Sequence, residues 1–222
     1  MKKILNLFKN SKVKMIIILS FLLFLYITIC AFSYAQSVLP DIADSVFRLH
    51  VIANSDSEED QALKYKVRDA LIEYMNSLCA NISSKEDAIN ISKAHTQDFK
   101  AIAESVISEN GYSYPVNVEI GNFSFPTKIY GDVSLPSGMY DALRVKIGSA
   151  SGQNWWCVMF PPLCFVDVSS GIVPDESKNT LKDSMNNEDY NLITSSDEDS
   201  DMHFKFKLVE LFENLKMQLA QN

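Results

Sequence analysis

The chain has 222 residues, of which 47% are hydrophobic and 22% charged, and its formal charge is −8. That length holds one ordinary domain with a sizeable core. The acidic balance excludes a protein that works through a broad basic surface on nucleic acid or anionic lipid.

The first 35 residues stand apart. Lys2, Lys3, Lys9, Lys12 and Lys14 precede an uncharged, mostly apolar run from Met15 to Phe32, and Ser33-Tyr34-Ala35 fits a small-x-small cleavage site. This is the order of a secretory signal, and the run is also long enough to anchor in a bilayer. Residues 1–35 therefore read as a signal peptide or a membrane anchor, with residues 15–32 as the membrane contact if they are not cleaved. In both cases the basic flank stays inside and residues 36–222 lie outside the cytoplasm. That part keeps 15 of the 20 Lys and Arg and all 28 Asp and Glu, a formal charge of −13.

Val46–Ala53, VFRLHVIA, alternates like a strand, with Phe47, Leu49 and Val51 on one face and Arg48, His50 and Ile52 on the other. Asn54-Ser55-Asp56-Ser57 breaks it, and both Ser55 with Glu58 and Ser57 with Asp60 have capping-box spacing. A helix is expected from about Glu58 to Cys79, with Leu63, Val67, Ala70, Leu71, Met75 and Leu78 as its apolar stripe. Ser83 with Glu86 opens a second long helix to about Glu109, striped by Ala88, Ile91, His95, Ile102 and Val106 and stopped at Gly111. Strands follow near Tyr114–Ile120, Phe125–Ser134, Ala142–Gly148, Trp155–Phe160 and Leu163–Val168.

From Ser169 to Met202 nine acidic residues face two lysines, with few aliphatic residues in periodic order, which reads as a flexible acidic linker. His203–Gln221 closes the chain as an amphipathic helix through Phe204, Leu208, Leu211, Phe212, Leu215 and Leu219. The organisation is thus 1–35, an exported domain at 36–168, a linker at 169–202 and a C-terminal helix at 203–222. The fold class is α+β: one domain, a largely antiparallel sheet with two long helices near its N-terminus.

The pattern of an enzyme is missing. There is no G-x-S-x-G, H-E-x-x-H, phosphate-binding glycine loop or C-x-x-C, and no metal or cofactor is expected. The run Asp197-Glu198-Asp199-Ser200-Asp201 lacks the glycine and closing glutamate of a calcium loop. The densest polar cluster is Arg48, His50, Asn54, Asp56, Asp60, Lys64 and Arg68. It reads as a recognition surface, as capping and surface ion pairs, or as a hydrolytic site with His50 as base and Asp56 as orienter. His95 falls on an apolar helix face as a core or boundary residue. Trp155 and Trp156 must take opposite faces of their strand. Either one enters the core and the other, beside Gln153 and Asn154, forms an interface anchor, or the sheet is covered on both faces. Cys30 lies in the leader and Cys79 ends a helix. Cys157 and Cys164 have a spacing that permits a disulfide worth about 2.5 kcal/mol, and two buried free thiols fit it equally.

Three blocks carry a resemblance: RLHVIANSDSEEDQALKYKVRDA at Arg48–Ala70, YGDVSLPSGMYDALRVKIG at Tyr130–Gly148 and GQNWWCVMFPPLCFVD at Gly152–Asp167. Together they closely resemble the stage II sporulation protein R family of endospore-forming bacteria, over about Ser45–Asp167. The resemblance implies a protein made in the forespore and exported into the space between the two membranes around it. There it signals to a membrane-embedded aspartic protease of the mother-cell membrane, which removes the pro-sequence of the early mother-cell sigma factor. It implies binding and no catalysis, and it brings no catalytic residues. The expected partner surface joins Arg48, His50, Asn54, Asp56 and Asp60 to Gln153, Asn154, Trp155 and Trp156. The alternative is a secreted hydrolase acting on cell wall or peptide, with His50 as base. Nucleic acid is not an expected partner.

Overall fold

In the computed structural model, residues 11–79, 82, 84–164 and 173–194 are described. The chain divides into two units after Pro40. The first holds the greater part of helix α1 (Ser11–Ser45), whose segment Ser11–Cys30 is long and apolar enough to cross a membrane. The helix runs through Ser33-Tyr34-Ala35 without interruption.

The last turn of α1 belongs to the second unit. There Ile42 is buried, and the Ser45 hydroxyl donates to the Ser184 carbonyl at 2.9 Å. Strand β1 (Phe47–Ile52) follows after one residue and becomes an inner strand of the sheet. Helices α2 (Glu58–Cys79), α3 (Lys85–Ala94) and α4 (Thr96–Glu109) come next. Then come β2 (Val116–Phe125), the short hairpin β3 (Lys128–Tyr130) and β4 (Val133–Leu135), β5 (Gly138–Ile147) and β6 (Asn154–Phe160). The four-stranded sheet has the order β2-β5-β1-β6. β1 runs parallel to β5 and antiparallel to β6, and β2 runs antiparallel to β5. The sheet is thus largely antiparallel, with one parallel pair at its centre.

Alternation sends Phe47, Leu49 and Val51 of β1 into a core shared with Leu63, Val67, Leu71 and Met75 of α2 and Phe99, Ala103 and Ile107 of α4. The α2 cap is Ser57, whose hydroxyl accepts from the Asp60 amide at 3.2 Å.

Several elements depart from the sequence reading. The second long helix is two helices. Its cap is Ser84, which accepts from the Asp87 amide at 3.1 Å. It breaks at His95, where the Thr96 hydroxyl takes the Ser92 and Lys93 carbonyls. The break resets the helical phase, so Phe99, Ala103 and Ile107 are buried while the expected Ile102 and Val106 are only half-buried. The stretch Phe125–Ser134 is not one strand, because β2 continues to Phe125 and Gly131, at φ +58°, turns a separate hairpin.

The strand expected over Leu163–Val168 does not form in its described part. After Pro161-Pro162 the chain turns back, the Leu163 amide donates to the Val158 carbonyl at 3.2 Å, and Cys164 is bonded to Cys157. The acidic stretch is not a bare linker in its described part either. It holds helices α5 (Asp175–Asp183) and α6 (Asn187–Thr194). Val173, Leu181 and Ile193 are buried there, and the acidic residues of both first turns suit the positive helix ends. Residues 195–222, with the acidic run Asp197–Asp201 and the expected C-terminal helix, lie outside the described residues.

Candidate functional site

Where β1 ends, Asn54 ties its own strand to the start of α2 and to the distant β5–β6 connection. Its Nδ2 donates to Asp60 Oδ2 on α2 at 2.8 Å, and its Oδ1 accepts from the Ser149 amide at 2.9 Å. Its carbonyl accepts from the hydroxyls of Ser149 and Ser151 at 2.7 and 2.8 Å. The Ser55 hydroxyl donates to the same Asp60 oxygen, and Asp56 Oδ1 accepts from the Gln153 amide at 2.7 Å. Lys64, fully buried, donates to Gln61 and to the Gln153 carbonyl. Two glycines make the close approach possible. A Cβ on Gly148 would stand 2.2 Å from Asn54 Oδ1, and one on Gly152 would stand 2.1 Å from the Ser55 carbonyl oxygen. Burial pushes the Asp60 carboxyl up, but hydrogen bonds from Ser55, Asn54 and Tyr114 outweigh it and hold the group below the usual carboxylate range. Burial, reinforced by the Arg68 charge, lowers the Lys64 ammonium. Asn54, Asp56 and Asp60 are therefore engaged in a clasp between α2 and the β5–β6 connection.

Arg48, His50 and Ile52 point to the other face of the sheet. Arg48 is fully buried. Its guanidinium lies 4.1 Å from the Phe125 ring centroid and 4.6 Å from that of Tyr140, and Nη2 donates to the Tyr130 hydroxyl at 2.8 Å. That hydroxyl passes on a bond to the Trp156 carbonyl at 3.2 Å, while Arg48 Nε and Nη1 have no hydrogen-bond partner among the described residues. A buried Arg48 cannot itself touch a partner, which corrects its expected place on a contact surface. His50 stacks on Trp156 with 3.7 Å between centroids, and its Nε2 donates to Asn154 Oδ1 at 2.7 Å. Burial brings its pKa down to about 4 against the Asn154 bond, and the charges of Arg144, Lys146 and Arg48 push the same way.

The hydrolytic arrangement does not assemble. Asp60 lies on the helix side of the sheet, bonded to Asn54 and Ser55, and Asp56 is bonded to Gln153. Among the described residues neither carboxylate pairs with His50. No group of metal-ligating side chains occurs among them either. His95 sits at the helix break as a boundary residue, bonded to Asp98 at 2.7 Å and Tyr74 at 2.9 Å.

The tryptophans lie on opposite faces of the edge strand β6, and both are half-buried. Trp155 packs edge-on against Tyr65 of α2, 5.4 Å between centroids, with the Arg68 guanidinium 4.3 Å from its ring. Trp156 faces His50 and Phe125. Each ring thus packs on neighbours of its own face and stays partly exposed, an arrangement between the two sequence readings. Cys157 and Cys164, with Cα atoms 5.3 Å apart, form a disulfide at the far end of the same strand.

Sequence reasoning missed Glu119, Arg144 and Lys146. The register pairs Glu119 with Arg144 and Arg144 with His50, and the Glu119 carboxylate receives Arg144 through Nε at 3.0 Å and through Nη2, and Lys146 at 3.0 Å. The alternation of Arg144 and Lys146 was visible as a strand pattern, but their partner strands were not.

A family model described as stage II sporulation protein R matches residues 43–170. A curated relative, Stage II sporulation protein R of Bacillus subtilis (strain 168), is 41% identical over 130 residues, which is 59% of this chain and 58% of the relative. The match thus spans less than two thirds of the relative's length. No solved structure matches.

Proposed function

Because the chain belongs to the stage II sporulation protein R family, a family of sporulation signalling proteins, we propose that it activates a membrane-embedded aspartic protease by binding to it. The protease then removes the pro-sequence of the early mother-cell sigma factor. In this reading the domain acts after export across the forespore membrane, in the space between the two membranes. The apolar segment Ser11–Cys30 supports export or anchoring.

The observation that carries the binding role is the state of the polar residues in the family blocks. Asn54, Asp56, Asp60 and Lys64 are consumed in internal bonds, and His50 is held neutral on Trp156. What reaches solvent from β6 and its neighbours is exposed Gln153 and Asn154 with half-buried Trp155 and Trp156, the latter two and Arg68 being residue types common among interface anchors. A binder activates by preferring the protease's active arrangement. Moving a 1:99 equilibrium to 99:1 takes about 5.5 kcal/mol of differential binding.

The test is co-expression of the full chain, the protease and the pro-sigma factor in a host without other sporulation proteins. Processing is read from the size of the sigma factor, and binding from co-purification out of solubilised membranes. Processing that requires the chain, with a stable complex, supports the proposal. Loss of processing by roughly 10²-fold or more in His50→Ala, with the complex and the fold intact, would refute it in favour of the hydrolase.

A further inference from the structure

The second face of the sheet has a closed half and an open half. Arg48, Tyr140, Phe125 and Val158 fill the closed half and are buried, and Tyr130 of the β3–β4 hairpin bonds there to Arg48. In the open half, cross-strand register aligns Glu119, Arg144, His50 and Trp156 in one row and sets Lys146 beside Ile52 in the next. Apart from buried His50, the side chains here reach solvent: Arg144 is 25% exposed, Lys146 31% and Glu119 33%, and Trp156 and Phe123, whose ring lies 3.8 Å from the Arg144 guanidinium, are half-buried.

The charge of this half is opposite to that of the exported domain. Two cations share the one carboxylate of Glu119, and Arg48 beneath them has no acidic partner among the described residues. His50 lies directly opposite Arg144 in the register. A positive window with an aromatic floor, on a body of formal charge −13, selects an acidic segment bearing an apolar side chain for Trp156. An anionic membrane fits less well, because lipid recognition of this kind needs clusters of roughly four to eight basic residues, and the acidic body repels the surface.

We infer that the partner docks on this open half through an acidic polypeptide segment that meets Arg144, Lys146 and Trp156. The inference rests on the binding role proposed above. The chain's own acidic run, Asp197–Asp201, is the competing occupant.

The test uses the full chain in the co-purification and processing assays, with Lys146→Glu, Glu119→Gln and, as a control of equal charge change on α4, Lys100→Glu. Thermal melting checks the fold of each. Lys146→Glu is expected to weaken the complex roughly tenfold or more, and Glu119→Gln to tighten it. Lys100→Glu is expected to leave it unchanged. Raising salt from about 50 to about 500 mM should weaken the wild-type complex more than that of Lys146→Glu.

If wild type binds and activates while Lys146→Glu and Glu119→Gln match it, the face is wrong and the binding role stands. If wild type neither binds nor activates, the binding role itself falls and takes the face with it. Two further results would also overturn the inference. One is an effect of Lys146→Glu on binding to vesicles of about 30% phosphatidylglycerol with protease binding unchanged. The other is disappearance of the variant effects when Asp197–Asp201 is replaced by serines.

Discussion

His50 ties the stability of the domain to pH in a defined window. In the unfolded chain its imidazole takes a proton near 6.5, and in the fold, near 4. Between those values the unfolded state holds more protons than the native one, so stability falls as pH drops from about 6.5 and the His50 contribution levels off near 4. A depression of this size corresponds to about 3 kcal/mol, a large part of the 5–15 kcal/mol that holds a typical domain. The physical source is visible: protonation would charge a ring stacked on Trp156, enclosed with Phe125 and surrounded by three cations. Urea unfolding of residues 36–222, followed by fluorescence of the two tryptophans, measures it at pH 7.5, 5.5 and 4.5. His50→Gln removes the titration. Asp60 and Glu119, whose native pKa values are lowered, lose stability on acidification in both proteins, so the difference between the two curves isolates His50. Wild type should lose about 2.5 kcal/mol more than His50→Gln between pH 7.5 and 4.5. Parallel curves would refute the claim that His50 is buried neutral.

Arg48→Glu should cost more than about 3 kcal/mol and give little folded protein, because it sets a carboxylate between two ring faces, whereas Arg48→Met should fold. Circular dichroism melts separate the two, and a folded Arg48→Glu would contradict the burial of this position. Reduction, or replacement of Cys157 and Cys164 by alanine, should lower stability by about 2.5 kcal/mol, read as a shift of the urea midpoint between oxidised and reduced samples. An unchanged midpoint would mean that the bridge constrains little. Leu181→Ala should cost about 2–4 kcal/mol if α5 packs as described. A true linker would show no change in melting temperature.

The legible parts of the sequence were those governed by local period and capping. Phe47, Leu49 and Val51 against Arg48 and His50, the Leu63–Val67–Leu71–Met75 stripe, the Ser57 cap and the opposed tryptophans all follow from geometry within one element. What escaped depended on partners far away along the chain. Arg48 looked like a surface residue until Phe125, Tyr140 and Tyr130 closed over it from other strands. The row from Glu119 to Trp156 needs three strand registers at once. α5 and α6 escaped because their anchors, Leu181 and Ile193, are sparse among acidic residues that composition alone assigns to a linker. The helix break at His95 is accompanied by a threonine hydroxyl taking the Ser92 and Lys93 carbonyls, a local feature that hydrophobic periodicity does not record.

Asn54 gives the domain a shared fastening. One amide side chain and its own carbonyl secure the first strand, the longest helix of the layer and the connection that leads into the strand of both tryptophans. Loosening any one of these pieces breaks bonds to the others, which favours concerted over piecemeal opening at this end. A protease meeting the domain would then act mainly on its open form, so the domain's lifetime at this end follows concerted unfolding.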